Sequence, residues 1–121
     1  MKGSCLCGEV RYDVVGQPRA VSACHCGQCR RQSGHFWSSA QVDLDGIEIS
    51  GDVRWYASSA TAKRGFCATC GSFLFWKMGD EDAISFSLGT VDGATNLTLE
   101  KHIFTADKGD YYEISDGVPQ F

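Results

Sequence analysis

The stretch Cys24-His25-Cys26-Gly27-Gln28-Cys29-Arg30-Arg31 gathers three thiols and two guanidinium groups into eight residues, and no other part of the 121-residue chain concentrates reactive chemistry so tightly. A Cys-x-Cys step on an extended segment points two side chains to one face, and the Cys-x-x-Cys turn that follows can bring a third sulfur beside them. Cys24, Cys26 and Cys29 are therefore candidate ligands of a zinc ion. Tetrahedral zinc takes four ligands, so three thiolates leave one position for water, a substrate or a side chain from elsewhere, as a catalytic site requires.

The other four cysteines form two pairs, Cys5-Leu6-Cys7 and Cys67-Ala68-Thr69-Cys70. Two residues apart on a strand, Cys5 and Cys7 are separated by about 6.5 Å along the chain. Two sulfurs on one zinc stand roughly 3.8 Å apart, a spacing that converging side chains at a strand end can reach. With Cys67 and Cys70 they would make a closed, structural site tying the start of the chain to its middle, and structural zinc can contribute on the order of 10 kcal/mol to folding. This division uses all seven cysteines and expects one zinc ion at each site. Spacing alone leaves other divisions open, such as Cys5 and Cys7 joining two of the middle three.

Three thiolates make zinc a weak Lewis acid, better suited to holding and releasing a thiol than to activating water. The expected partner is a small thiol or thiol conjugate. Arg30 and Arg31 are candidates for binding its carboxylates through bidentate hydrogen bonds, or for offsetting thiolate charge. His35 is a candidate proton shuttle near the open position. His25 lies between two ligands, so on an extended segment its ring points away from the metal. Trp37, Phe73, Phe75 and Trp76 read as core aromatics, one of which could line a pocket.

The elements that must hold these groups are short and mostly extended. Glu9 to Val14 alternates charged and apolar residues as a half-buried strand does, and Ala20 to Ala23 reads as a strand delivering the chain to the three-cysteine loop. The arginine-rich segment through Gly34 is expected as a loop or single helical turn. His35 to Leu44 is rich in aromatic and β-branched residues. Ile47 to Ile49 and Val53 to Tyr56 are expected to pair as a hairpin about Ser50-Gly51-Asp52. Ser72 to Lys77 and Ala83 to Val91 follow as strands, the latter with Ile84, Phe86 and Leu88 on one face, and one or two more lie near Leu97 to Phe104. No sustained helical period of apolar residues occurs, so the chain reads as one mostly β domain over residues 1–121.

A net charge of −4 and a pI near 5.2 argue against nucleic acid or an anionic membrane as the main partner. The longest apolar run, Phe73-Leu74-Phe75-Trp76, is far too short to span a bilayer, and no apolar stretch opens the sequence. Cysteines grouped for metal rather than disulfides imply a reducing compartment, so a cytoplasmic location is expected and the glycosylation pattern Asn96-Leu97-Thr98 would be idle there. A chain this short has little material for an elaborate pocket, so a homodimer in which a second subunit supplies one wall is compatible with it.

Cys5-Leu6-Cys7-Gly8 with Val10-Arg11-Tyr12, then Cys24 through Gly34, then Arg64-Gly65-Phe66-Cys67-Ala68-Thr69-Cys70-Gly71-Ser72, together resemble the glutathione-dependent formaldehyde-activating enzymes, also called the centromere protein V-like group. His102-Ile103-Phe104 and Asp116 through Phe121 add to the likeness, which covers nearly the whole chain. The resemblance implies a β-tent fold of small antiparallel sheets with two zinc sites. It assigns Cys5, Cys7, Cys67 and Cys70 to structural zinc and Cys24, Cys26 and Cys29 to catalytic zinc. It further implies a carbon-sulfur lyase chemistry, the joining of glutathione to formaldehyde as S-hydroxymethylglutathione or its reverse. His102 then stands either as a site residue or as a hydrogen-bonded core residue. Two readings from other classes compete: a zinc-stabilised binding module, and a redox or metal sensor whose three-cysteine site oxidises and releases its ion.

Overall fold

The structure is a computed structural model describing residues 1–121. Its strands are β1 (Lys2–Ser4), β2 (Arg11–Val14), β3 (Arg19–Cys24), β4 (Trp37–Asp43), β5 (Ile47–Ser50), β6 (Val53–Ala57), β7 (Ala62–Cys67), β8 (Phe73–Met78), β9 (Ala83–Ser87) and β10 (Lys101–Ile103), with one helix, α1 (Gly27–Ser33). They form a three-stranded sheet, β1-β2-β5, and a seven-stranded sheet, β10-β3-β4-β9-β8-β7-β6. The fold is mostly β, as the absence of a helical period predicts.

The core lies where alternate residues of both sheets face one another. Tyr12 and Val14 from the small sheet meet Val42, Phe75 and Phe86 from the large one, and the Tyr12 ring sits edge-on to Phe75 with centroids 5.4 Å apart. Strand β9 is central and buried along its whole length, so its two faces do not divide into core and solvent as simple alternation suggests. It also ends at Ser87, where a 3₁₀ turn over Leu88–Thr90 replaces the expected extension to Val91.

The predicted hairpin is not formed. β5 pairs with β2 and β6 pairs with β7, so Ser50-Gly51-Asp52 carries the chain from one sheet to the other instead of folding it back. Gly51 has φ +98° and runs so close to the Glu9 carbonyl that a Cβ would overlap it, a path open only to glycine. The arginine-rich segment also differs from expectation, being a seven-residue helix rather than a loop or single turn.

Antiparallel pairing holds throughout, with one exception. β10 runs parallel to β3, placing His102 beside Ala23 and Ile103 beside Cys24. The far edge of β10 is covered by the tail, where the His102 amide donates to Pro119 O at 2.8 Å and the Phe121 amide donates to His102 O at 2.9 Å. This hides an otherwise open strand edge and brings residues from the end of the chain alongside the three-cysteine loop.

Candidate metal centres

The seven thiols fall into two groups, Cys5 with Cys7, Cys67 and Cys70, and Cys24 with Cys26 and Cys29, the sulfurs of each lying within 4.8 Å of one another. In the first group, Cys5 Sγ is 3.6 Å from Cys7 Sγ and Cys7 Sγ is 3.8 Å from Cys67 Sγ. That is the spacing of roughly 3.8 Å expected between thiolates on one tetrahedral zinc. Backbone amides already address these sulfurs: Val10 N–H donates to Cys5 at 3.2 Å, and Thr69 and Cys70 N–H both donate to Cys67 at 3.4 Å. The turn that allows this closes through Gly71, at φ +78°. Hydrogen bonds from the Ser72 hydroxyl and amide pull the Cys70 thiol down to about 5, whereas at Cys7 the Glu9 amide is outweighed by desolvation and the neighbouring thiols, which push the thiol up to about 12. Four thiols, convergent and amide-solvated, fit a closed zinc site.

The second group is assembled by the junction of β3 and α1. Strand β3 ends at Cys24. Cys26 is the N-cap of α1, its sulfur accepting from Cys29 N–H at 3.4 Å. The cap thereby sets Cys29 on the first helical turn beside the other two sulfurs. Gly34 ends the helix in the left-handed conformation, its N–H donating to Arg30 O at 2.8 Å. Cys24 is held below the usual thiol range by its hydrogen bond with Cys29, and the same bond, with burial, pushes Cys29 up.

This group opens on a cleft of about 700 Å³. It is lined by the buried Ser22, Ser39 and Ser85, by Trp37 and Trp76, and by Ile103, Phe104 and Asp107 from β10 and the turn after it. Trp37 is only 8% exposed, and its indole nitrogen has no hydrogen-bond partner. Three convergent sulfurs at the wall of a cleft fit a metal ion with an accessible fourth position.

Arg31 lines this cleft, whereas Arg30 and His35 do not. His35 is exposed and packs its ring against Phe36 and Tyr112, centroids 4.3 and 4.2 Å away. His25 is fully buried, and neither of its nitrogens faces a cysteine. Nε2 is 2.9 Å from His102 Nδ1, and Nδ1 is 2.5 Å from the Tyr112 hydroxyl. His102 Nε2 in turn lies 2.8 Å from Asp116 Oδ2. His102 is thus a hydrogen-bonded core residue.

Besides its serines, the cleft contains a charged group that sequence reasoning missed. Arg64, on β7, is 5% exposed and reaches Cys29: its Nη1 is 3.7 Å from the Cys29 sulfur. Gln28 and Gln32 hold it from α1, accepting from Nε at 2.9 Å and from Nη1 at 2.8 Å. The i, i+4 spacing of these glutamines points to a common helical face once the helix is known. Nothing local distinguishes Arg64 from its exposed neighbour Lys63.

A small two-sheet β domain with one closed four-thiol group and one three-thiol group open to a cleft defines a class of cysteine-rich protein able to hold metal ions. The chain belongs to the glutathione-dependent formaldehyde-activating enzyme family, whose model matches residues 1–107. Similar proteins include an "uncharacterized lyase" of Schizosaccharomyces pombe, 26% identical over 122 residues that cover 99% of this chain and 89% of the relative. A protein of Halomonas elongata bearing the family's name is 28% identical over 85 residues, 62% of this chain and 54% of its own. The crystal structure of a Rhodobacter sphaeroides protein shares the fold with a TM-score of 0.63 and 25% identity, over 79% of this chain and 92% of that one.

Proposed function

We propose that the protein is a zinc-dependent carbon-sulfur lyase or thiol-adduct synthase acting on a small thiol conjugate such as S-hydroxymethylglutathione. The observation that carries this reading is the placement of Cys24, Cys26 and Cys29 together at the wall of the cleft. A zinc ion on these sulfurs supplies positive charge that holds an incoming thiol in its thiolate form. Cys5, Cys7, Cys67 and Cys70 take a second, structural zinc. In the synthetic direction the thiol sulfur bonds to the aldehyde carbon, the carbonyl becomes a hydroxyl, and the thiol proton ends on that oxygen; the lyase direction reverses each change.

The residues of the cleft divide this work. Ser22, Ser39 and Ser85 present hydroxyls able to hydrogen-bond the adduct's own hydroxyl, and Trp37 and Trp76 exclude water from the reacting atoms. Arg31, exposed on the cleft lining, binds the conjugate's carboxylate. Arg30 and His35 lie outside the cleft lining and have no part in the proposed step. Free, metal-grouped thiols favour a reducing, cytoplasmic setting. No helix is long and apolar enough to cross a membrane.

The test is a titration of metal-free protein with Co²⁺, followed through its thiolate charge-transfer and d–d bands, with glutathione added at the end. Two bound ions, one of whose spectra shifts on adding glutathione, support the proposal. A spectrum that ignores every thiol would favour a structural or sensing role.

A further inference from the structure

Arg64 is a buried cation without an acidic partner. All the protein's close ion pairs lie elsewhere, at Met1 and Lys2 with Asp13, Arg19 with Asp43, and His102 with Asp116. Burying a guanidinium away from carboxylates is costly unless another negative charge answers it. Gln28 and Gln32 satisfy its N–H groups with neutral amide oxygens, so they fix its orientation and leave its charge intact. The remaining contact is Cys29, with the face of Phe73 packed below the guanidinium at 5.4 Å. The other charged groups on the cleft, Arg31 and Asp107, are exposed, where solvent and salt screen them.

The charge balance at the open site gives this arrangement a consequence. A divalent ion on three thiolates is net negative already, and a fourth, anionic ligand adds to that excess. Coulomb repulsion in a desolvated pocket then favours a neutral fourth ligand, unless a cation stands nearby. We propose that Arg64 is the counter-charge of the three-cysteine site, the residue that lets an anionic sulfur occupy the fourth position in preference to a neutral donor. It is a specificity-determining residue that acts on the charge of the incoming atom through Cys29. The inference rests on the proposal above that the fourth position is open to thiols.

The experiment compares cobalt-loaded wild-type protein with Arg64→Gln and Arg64→Lys, titrating each separately with 2-mercaptoethanol and with imidazole and reading the d–d bands. Neither probe carries a carboxylate, and one donates through an anionic sulfur, the other through a neutral nitrogen. Comparing each probe between wild type and variant therefore isolates the effect of Arg64 on donor charge. In wild type both probes should shift the spectrum. Arg64→Gln should weaken 2-mercaptoethanol by about tenfold or more while leaving imidazole within about twofold. Arg64→Lys, which keeps the charge, should retain most of the preference for sulfur.

Equal thiol affinity in wild type and Arg64→Gln overturns the inference, as does an equal loss of thiol and imidazole, which would make the residue a prop rather than a charge. If Arg64→Gln does not fold, Arg64→Lys decides: loss of the sulfur preference with the charge retained overturns the inference, and its retention supports it. A wild-type spectrum that answers neither probe removes the open-site reading itself, and the inference with it.

Discussion

The imidazoles of His25 and His102 share a buried hydrogen bond, Nε2 to Nδ1 at 2.9 Å, and its direction is set from the protein surface. Asp116, ionised at neutral pH, accepts from His102 Nε2–H; in the neutral tautomer this selects, Nδ1 accepts from His25 Nε2–H. His25 Nδ1 then accepts the Tyr112 hydroxyl proton. Every donor meets one acceptor along this chain, which fastens the residue between two candidate metal ligands to β10 and the tail.

The carboxyl at the end of that chain should leave a signature in acid. The Val118 amide, and then His102, hold Asp116 below the usual carboxylate range. A lowered folded pKa favours the native state above the free aspartate value, near 3.9, and that contribution is lost as pH falls through the folded pKa. Wild type should therefore melt higher than Asp116→Asn by a constant margin between about pH 5 and pH 8, and the margin should vanish in stronger acid. A margin that grew on acidification would contradict the sign.

The two thiol groups should answer substitution differently. Cys29→Ser is expected to lose one equivalent of metal and the thiol response, with the far-UV spectrum and melting cooperativity kept. Cys67→Ser breaks the group that joins Cys5 and Cys7 to residues 67–70 and should lower stability by several kcal/mol, on the scale of a structural zinc site. Metal analysis beside thermal melts distinguishes them, and two variants that lost both ions together and melted alike would refute the division of labour.

Phe75 is fully buried between the sheets against Tyr12 and Trp55. Phe75→Ala should cost about 3–5 kcal/mol in urea unfolding of the metallated protein. A loss below about 1 kcal/mol would mean that the two sheets do not share the core described.

Gly51 makes the crossing between sheets. Gly51→Ala combines a positive φ with overlap on the Glu9 carbonyl and should destabilise by about 1–3 kcal/mol. Gly93, also at positive φ but with open space around it, is the control, and its alanine variant should cost less.

The thiol pairs, the mostly β class and most strand positions were legible because cysteine spacing and period-two alternation are local signals. Partnership was not. Ser50-Gly51-Asp52 announces a change of direction, and local signals do not say that the strands on either side join different sheets. The helix at Gly27–Ser33 escaped because only Cys29 in it is buried, leaving no apolar stripe to read, while its stability comes from a thiol cap and a left-handed glycine. Arg64 escaped for a tertiary reason: its role depends on α1 laying two glutamines across β7, a contact no neighbouring residue encodes.

The parallel pairing of β10 with β3 has a consequence for the order in which a chain made from its N-terminus can mature. The four-thiol group needs no thiol beyond Cys70, and Gly71 and Ser72 complete its turn, so all its ligand candidates are made before β10. The lining supplied by Ile103, Phe104 and Asp107, and the segment that fastens β10 through Asp116, follow later. Until then Cys24, Cys26 and Cys29 lack part of the lining that the finished molecule gives them, so the open group is completed after the closed one.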